Sequence, residues 1–433
     1  DRIGQRDVMV TELTTLELTP ILSKISALVT DTGGRTSHAA IAGRERGLPV
    51  IVGTGSGTHT IKDGQLVTVD GTHGLVFAGK QLLANSNQQT AISNSDRKPI
   101  ADCRLPIAHP LGTKLYVNLS DPAQAATVAA QPVDGVGLLR AEFMIAGLGE
   151  HPAAMEAAGR GGEFTQQLAH ELGKFAVAFS PRPVIYRTSD FKSNEYRGLK
   201  GGEAFEPTEE NPMLGYRGVA RYLAEPQLFH RELAAIKQVR INHPNLSLML
   251  PFVRTIEELT GAIRLIQEAG LDWQPRLSTQ ANQPSLNSQL STLNSQTRLR
   301  VWMMCELPSN VILLDEFIDA GIDGVSIGSN DLTQLFLGID RDNERLANEF
   351  DERDPAVLKA IEYVIKTCRR RHVPVGLCGQ AASEYPDLIE KLVEWGVTSI
   401  SVNPDAIDST RNLIASIEHH HYHPRRDTIS QSR

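Results

Sequence analysis

A histidine at position 38 stands where the chain leaves a short β-type run, passes two glycines and begins a helical pattern: TDTGGRTSHAAI, residues 30–41. Thr36 and Ser37 are suited to capping that helix. The first N–H groups of a helix are unpaired and carry a partial positive charge, so they favour an anion. An imidazole placed there could carry a phosphoryl group stabilised by those donors. The plainer alternative is a capped helix whose histidine is merely exposed. His59 and His73 lie in turn-like stretches, where a structural role is the expectation.

A second set of polar residues falls at the ends of β-type runs further along. Arg140 and Glu142 close GVGLLRAEF, Arg187 closes the first run of VIYRTSDFKSNEY, and Arg217 follows in NPMLGYRG. Glu306 ends VWMMCELP, Asn330 and Asp331 end VSIGSNDLTQ, and Cys378 ends PVGLCGQAAS. Glu306 and Asp331 are hard oxygen ligands suited to Mg²⁺, with water and substrate completing an octahedron. The three arginines can grip carboxylate and phosphoryl oxygens in fork geometry, and Cys378 could move a proton. Taken singly, an arginine at a strand end usually makes a structural ion pair and a cysteine is usually a small buried hydrophobe. The case rests on convergence from five strands.

Such convergence needs a scaffold that gathers strand ends. From Lys114 onward β-rich runs alternate with helical patterns: Leu115–Leu119, Gly135–Leu139, Val184–Arg187, Leu246–Val253, Val301–Cys305, Gly324–Ile327, Pro374–Leu377 and Ser399–Val402. Helices are predicted between them, for example over Ile256–Glu268, Asn310–Ala320 and Pro355–Arg371. Eight βα units imply an α/β fold with a parallel sheet, closed as a (β/α)8 TIM barrel whose chemistry lies at the strand ends. An open doubly wound sheet is the rival. Residues 1–80 read as a separate, smaller α/β unit with β-type runs at Ala27–Thr30, Pro49–Val52 and Leu66–Val69 and one helix near Ser37–Arg46. A polar linker over 81–104 joins it to the barrel, 105–420, and a tail follows over 421–433. Residues 275–298 are rich in Ser, Gln and Asn and repeat LNSQ, so they read as a disordered insertion before the fifth strand.

The net charge of -8 argues against nucleic acid or an anionic membrane as partner. An anionic substrate must then be held by local arginines. Four cysteines without disulfide or zinc spacing point to reduced thiols and a cytoplasmic protein. No run is long and apolar enough for a membrane span, and no signal peptide is expected.

The histidine segment TDTGGRTSHAAIAGRERGLPVIVGTG resembles the phosphohistidine domain of the phosphoenolpyruvate-utilising enzymes. SDFKSNEY, EENPMLGYRG, PSNVILLDEFID, SIGSNDLTQLFLGIDRD and GLCGQAAS are similar to that family's catalytic barrel, from about Gly112 to Ile414. The KSNEY and NPMLGYRG wording favours the synthase branch over the dikinase branch, and the sugar-phosphotransferase enzyme fits least well. The resemblance implies a swivelling phosphohistidine domain followed by the barrel, with His38 as phosphoryl carrier. It implies Mg²⁺ on Glu306 and Asp331, and Arg140, Arg187 and Arg217 on the phosphoryl group and enolate oxygen. It further implies Ser329 and Asn330 at the substrate, and Cys378 as general acid/base at the methyl carbon of pyruvate. Phosphoenolpyruvate and pyruvate are the expected substrates, and a homodimer is the expected assembly.

Family synthases carry an ATP-binding domain ahead of the histidine domain, and nothing in these residues matches it. The expectation is therefore a half-reaction at the barrel, with ATP entering through a domain absent from this sequence. A dikinase-type enzyme and an inactive fragment that keeps the fold stay open as alternatives.

Overall fold

A computed structural model describes residues 7–12, 19–22, 24–33, 39–40, 43–44, 47–71, 74–80, 111–275, 298–340, 346 and 349–422. The expected linker, the interior of the expected insertion, the tail beyond residue 422, His38 and His73 all lie outside the described residues.

The first domain holds a parallel sheet of three short strands in the order β1-β2-β3: β1 Val8–Thr11, β2 Ala27–Thr30 and β3 Val50–Ile51. Strands β4 Val67–Asp70 and β5 Leu75–Ala78 form an antiparallel pair beside it. β1 and β5 were not among the predicted runs. VMVT is only partly buried and LVFA exposes both its ends, so neither shows the apolar density that marks a core strand. Ala39, Ala40, Gly43 and Arg44 are helical, within the helix predicted after His38.

The second domain is a closed barrel of eight parallel strands. They are β6 Lys114–Leu119, β7 Gly135–Arg140, β8 Val184–Arg187, β9 Leu246–Leu250, β10 Val301–Cys305, β11 Gly324–Ile327, β12 Val375–Leu377 and β13 Ser399–Val402. All eight predicted runs are strands. Pairing of β9 with β10 and of β13 with β6 closes the ring, which excludes the open sheet.

Alternation along each strand decides which side chains fill the barrel. Leu138, Ile185, Met249, Trp302, Met304 and Cys378 pack together inside. Their neighbours Leu139, Tyr186, Leu248, Leu250, Met303 and Cys305 point outward into the larger core beneath the helices. Because both layers are buried, the strands read as continuous apolar runs and not as alternating ones.

Helices follow the strands with their own signals. Thr255 caps Ile256–Glu268 by accepting from Glu258 N at 3.2 Å, and Asp354 caps Pro355–Arg370, with proline in the first turn. The helix predicted over Asn310–Ala320 is instead two, Pro308–Ile312 and Leu314–Asp319, broken at Leu313. The second carries Asp315 and Glu316 in its first turn, which suit a helix N-terminus. At the insertion the described flanks meet: Leu299 N donates to Asp272 O at 2.7 Å, and Arg298 Nη1 to Gln274 O at 3.0 Å. Among the described residues no helix is long and apolar enough to cross a membrane.

Candidate active site

At the C-terminal mouth of the barrel, two arginines and four carboxylates interlock. Arg187 ends β8; its Nη2 lies 3.0 Å from Glu142 Oε1 and its Nη1 3.6 Å from Asp190 Oδ2. Glu142 stands in the first turn of the helix Ala141–Ala146 after β7, and its Oε1 also accepts from Asp190 N at 2.8 Å. Arg217 is almost fully buried. It donates from Nε and Nη2 to the two oxygens of Asp190 at 2.9 and 2.5 Å, and from Nη2 to Asp331 Oδ2 at 3.2 Å. Burial opposes charge on both guanidiniums. For Arg187 the facing carboxylates of Glu142, Asp190 and Glu306 outweigh it, and for Arg217 those of Asp190, Asp331 and Glu306, so both stay cationic.

Glu306 follows β10 directly and is buried. Its Oε1 accepts from Phe252 N at 2.6 Å. Phe252 holds a φ of 48°, in the left-handed region that costs a non-glycine residue roughly 1–3 kcal/mol. The Phe252 ring is covered by cations: the guanidinium carbon of Arg217 lies 4.1 Å from its centroid and that of Arg254 4.7 Å. The strained residue thus joins the acid to the arginine cluster.

Asp190, Glu306 and Asp331 each bring a carboxylate oxygen within 4.8 Å of the other two, and all three residues are buried. Burial first, then the like charges of Asp331 and Asp190, push the Glu306 carboxyl up to about 8. Burial together with these two carboxylates outweighs the charges of Arg217 and Arg187, which favour the ionised acid. Three hard oxygens under such repulsion fit a divalent cation such as Mg²⁺.

Cys378 follows β12 and faces the barrel interior. Its sulfur accepts from Ser326 Oγ at 3.0 Å, and its carbonyl accepts from Asn118 Nδ2 at 3.1 Å. Burial pushes the thiol up to about 11, against the Ser326 hydrogen bond and the charges of Arg140 and Arg187. It is a protonated thiol at neutral pH. Asn330 Oδ1 accepts from Gln380 N at 2.9 Å, tying the first turn of the helix Ser329–Leu337 after β11 to the loop after Cys378. Ser329 is placed differently: its hydroxyl donates to Glu352 Oε1 at 2.5 Å. A side chain at Gly379 would run into it, with a Cβ only 1.7 Å from Ser329 Oγ. Ser329 thus packs against the loop at Gly379.

Described residues on either side of His38 have defined partners. Asp31 accepts from Thr54 Oγ1 at 2.8 Å and from the backbone and hydroxyl of Thr58, and Gly33 turns at φ 109°, which favours glycine. Ala39, next to His38, is buried with Leu22, Ile25 and Leu28, and Phe143 of the barrel belongs to the same cluster. Phe143 is the residue after Glu142. Ala39 therefore shares a buried cluster with the residue after Glu142, at the mouth that holds the arginines.

The structure brings Arg187, Arg217, Glu306, Asp331 and Cys378 into one cluster, with Arg140 close enough to influence the Cys378 thiol and Asn330 one loop away. Sequence reasoning missed Asp190, the counter-ion of Arg217, although it lies inside the quoted SDFKSNEY. It also missed Phe252, Asn118 and Ser326. A phenylalanine with left-handed backbone carries no sequence signature, and polar residues inside a strand read as pattern noise.

Residues 98–419 match the family described as PEP-utilising enzyme, PEP-binding domain, and residues 3–74 match its mobile domain. The chain belongs to the PEP-utilising enzyme family. Relatives agree. The phosphoenolpyruvate synthase of Aeropyrum pernix is 44% identical over 427 residues, covering 96% of this chain and 49% of that protein. The phosphoenolpyruvate synthase of Pyrococcus furiosus is 42% identical over 420 residues, covering 96% and 48%. That of Helicobacter pylori is 38% identical over 440 residues, covering 95% and 50%. This member of the PEP-utilising family thus spans about half the length of the relatives it matches.

Proposed function

We propose that this chain transfers a phosphoryl group between His38 and the enolate of pyruvate, making or consuming phosphoenolpyruvate. The observation that carries the reading is the mouth itself: two buried cationic arginines beside three clustered carboxylates and a thiol, with Ala39, next to His38, in one buried cluster with Phe143.

Asp190, Glu306 and Asp331 would hold Mg²⁺, which supplies Lewis-acid stabilisation of the enolate and carboxylate oxygens. Arg140, Arg187 and Arg217 orient the phosphoryl group and absorb its charge in the transition state. Asn330 contributes to binding the substrate carboxylate, and Ser329 keeps the adjoining loop in place. From phosphoenolpyruvate, the phosphorus–oxygen bond to the enolate breaks as a phosphorus–nitrogen bond to His38 forms. The enolate carbon then takes the proton of Cys378, giving pyruvate and a thiolate. In reverse, the thiolate removes a methyl proton, the enolate oxygen attacks phosphorus, and the imidazole leaves. The thiol, held near 11, stands ready as the acid.

The relatives' name supports assigning the complete reaction as pyruvate, ATP and water to phosphoenolpyruvate, AMP and phosphate. Loading of the histidine from ATP is then assigned to the part of those relatives that this chain does not span. Exchange of isotope between labelled pyruvate and phosphoenolpyruvate, with Mg²⁺ and no nucleotide, tests the half-reaction. Exchange that needs His38 is expected; its absence under those conditions would overturn the reading.

A further inference from the structure

The PEP-utilising mobile domain touches the barrel through a polar contact as well as through Phe143. Arg44, helical like Ala39 and Ala40, places Nη1 2.7 Å from Glu384 Oε1 and 3.2 Å from Gln380 Oε1. We infer that Arg44 is a positioning residue that seats the histidine domain on the barrel mouth through Glu384 and Gln380, so that phosphoryl transfer depends on it and the barrel's own ligand binding does not. This rests on the proposed transfer through His38.

Three observations converge. First, the contact is made at the loop that matters. Gln380 follows Cys378 by two residues and is fully buried; its Oε1 also accepts from Asn403 Nδ2 at 2.8 Å, and its backbone N donates to Asn330 Oδ1 at 2.9 Å. A rigid, hydrogen-bonded acceptor is a better seat than a free surface side chain. Second, the two contacts stand apart. Phe143 follows β7 and Glu384 follows β12, and β13 and β6 lie between those strands in the barrel order. A single contact leaves the domain free to pivot; one at each side of the mouth fixes its orientation. Third, the strength is right. Side-chain exposures of 27% for Arg44 and 18% for Glu384 make this a partly solvated ion pair, which is weak and screened by salt. A contact that must form for transfer and release afterwards should not be strong.

The test follows the rate at which phosphoenolpyruvate and Mg²⁺ phosphorylate His38 in the full chain. Arg44→Glu is expected to slow it about fivefold or more, with Mg²⁺-dependent oxalate binding and thermal stability unchanged. Adding Glu384→Arg to Arg44→Glu should restore most of the rate by reversing the pair. Equal rates in the single variant and the parent would overturn the inference, as would parallel loss of oxalate binding or failure of the reversed pair to recover. If the parent itself takes no phosphoryl group, the proposed transfer fails. The contact is then read separately by amide exchange over residues 381–384. Loss of protection in Arg44→Glu supports the seat, and unchanged protection overturns it.

Discussion

Arg217 holds Asp190 through two near-parallel hydrogen bonds, 2.9 Å from Nε to Oδ1 and 2.5 Å from Nη2 to Oδ2, and with the same Nη2 reaches Asp331 at 3.2 Å. One buried cation therefore sets the spacing of two of the three carboxylates at the candidate metal position. Breaking a buried pair by removing one partner leaves the other charge uncompensated, at a cost of about 3–5 kcal/mol. Asp190→Ala is expected to lose stability on that scale in chemical denaturation, and Asp190→Asn less, since the amide keeps a hydrogen-bonding oxygen. Both should weaken Mg²⁺-dependent oxalate binding. Asp190→Asn with unaltered oxalate affinity would remove Asp190 from the site.

The crowding around Glu306 predicts a pH dependence. With its carboxyl raised to about 8, Glu306 is largely protonated at neutral pH, and a divalent cation must displace that proton. Affinity should therefore rise as pH rises towards about 8, by up to about tenfold per unit, and flatten above it. Calorimetric titration with Mg²⁺ in buffers of different ionisation enthalpy checks this by counting released protons. Glu306→Gln and Asp331→Asn should abolish pyruvate–phosphoenolpyruvate exchange while remaining folded. Normal exchange in both would rule out the site.

Much of this site was legible because barrels place chemistry where strands end, and Arg187, Glu306, Asp331 and Cys378 sit at or just beyond such ends. Eight buried parallel strands give dense apolar runs that survive without an alignment, so the barrel was readable too. Asp190 was not, because its role is defined by Arg217, which lies far along the chain and meets it only after folding. Phe252 was hidden for a related reason: its value is a backbone angle and an N–H aimed at Glu306, neither encoded by residue type. The helix broken at Leu313 shows the limit of periodicity, since both halves keep the same apolar character across the break.

Cys378 should act on carbon and not on phosphorus. Cys378→Ala is expected to lose exchange of pyruvate methyl protons with solvent deuterium, while oxalate, which needs no proton transfer, still binds within a few-fold. In the parent, methyl exchange should rise with pH across the neutral range, because the thiolate fraction grows about tenfold per unit below a thiol near 11. Wild-type exchange in the variant would assign the proton to another group. Loss of oxalate binding would mean that the cysteine shapes the site.

Deleting Ser278–Gln296 should leave the barrel intact. The residues that flank it are already joined by Leu299 N to Asp272 O and Arg298 to Gln274 O, so closing the gap needs little rearrangement. The melting temperature and the exchange rate are expected to stay close to the parent values. A fall of about 5 °C or more, roughly 1–2 kcal/mol, would show that the segment is packed.

The central claim is that His38 takes the phosphoryl group from phosphoenolpyruvate at the barrel mouth. Intact-mass measurement after incubation with phosphoenolpyruvate and Mg²⁺ tests it most directly. An acid-labile gain of one phosphoryl group is expected, located to His38 by fragmentation and missing from His38→Asn. Phosphorylation that persists in His38→Asn, or none in the parent protein, would contradict it.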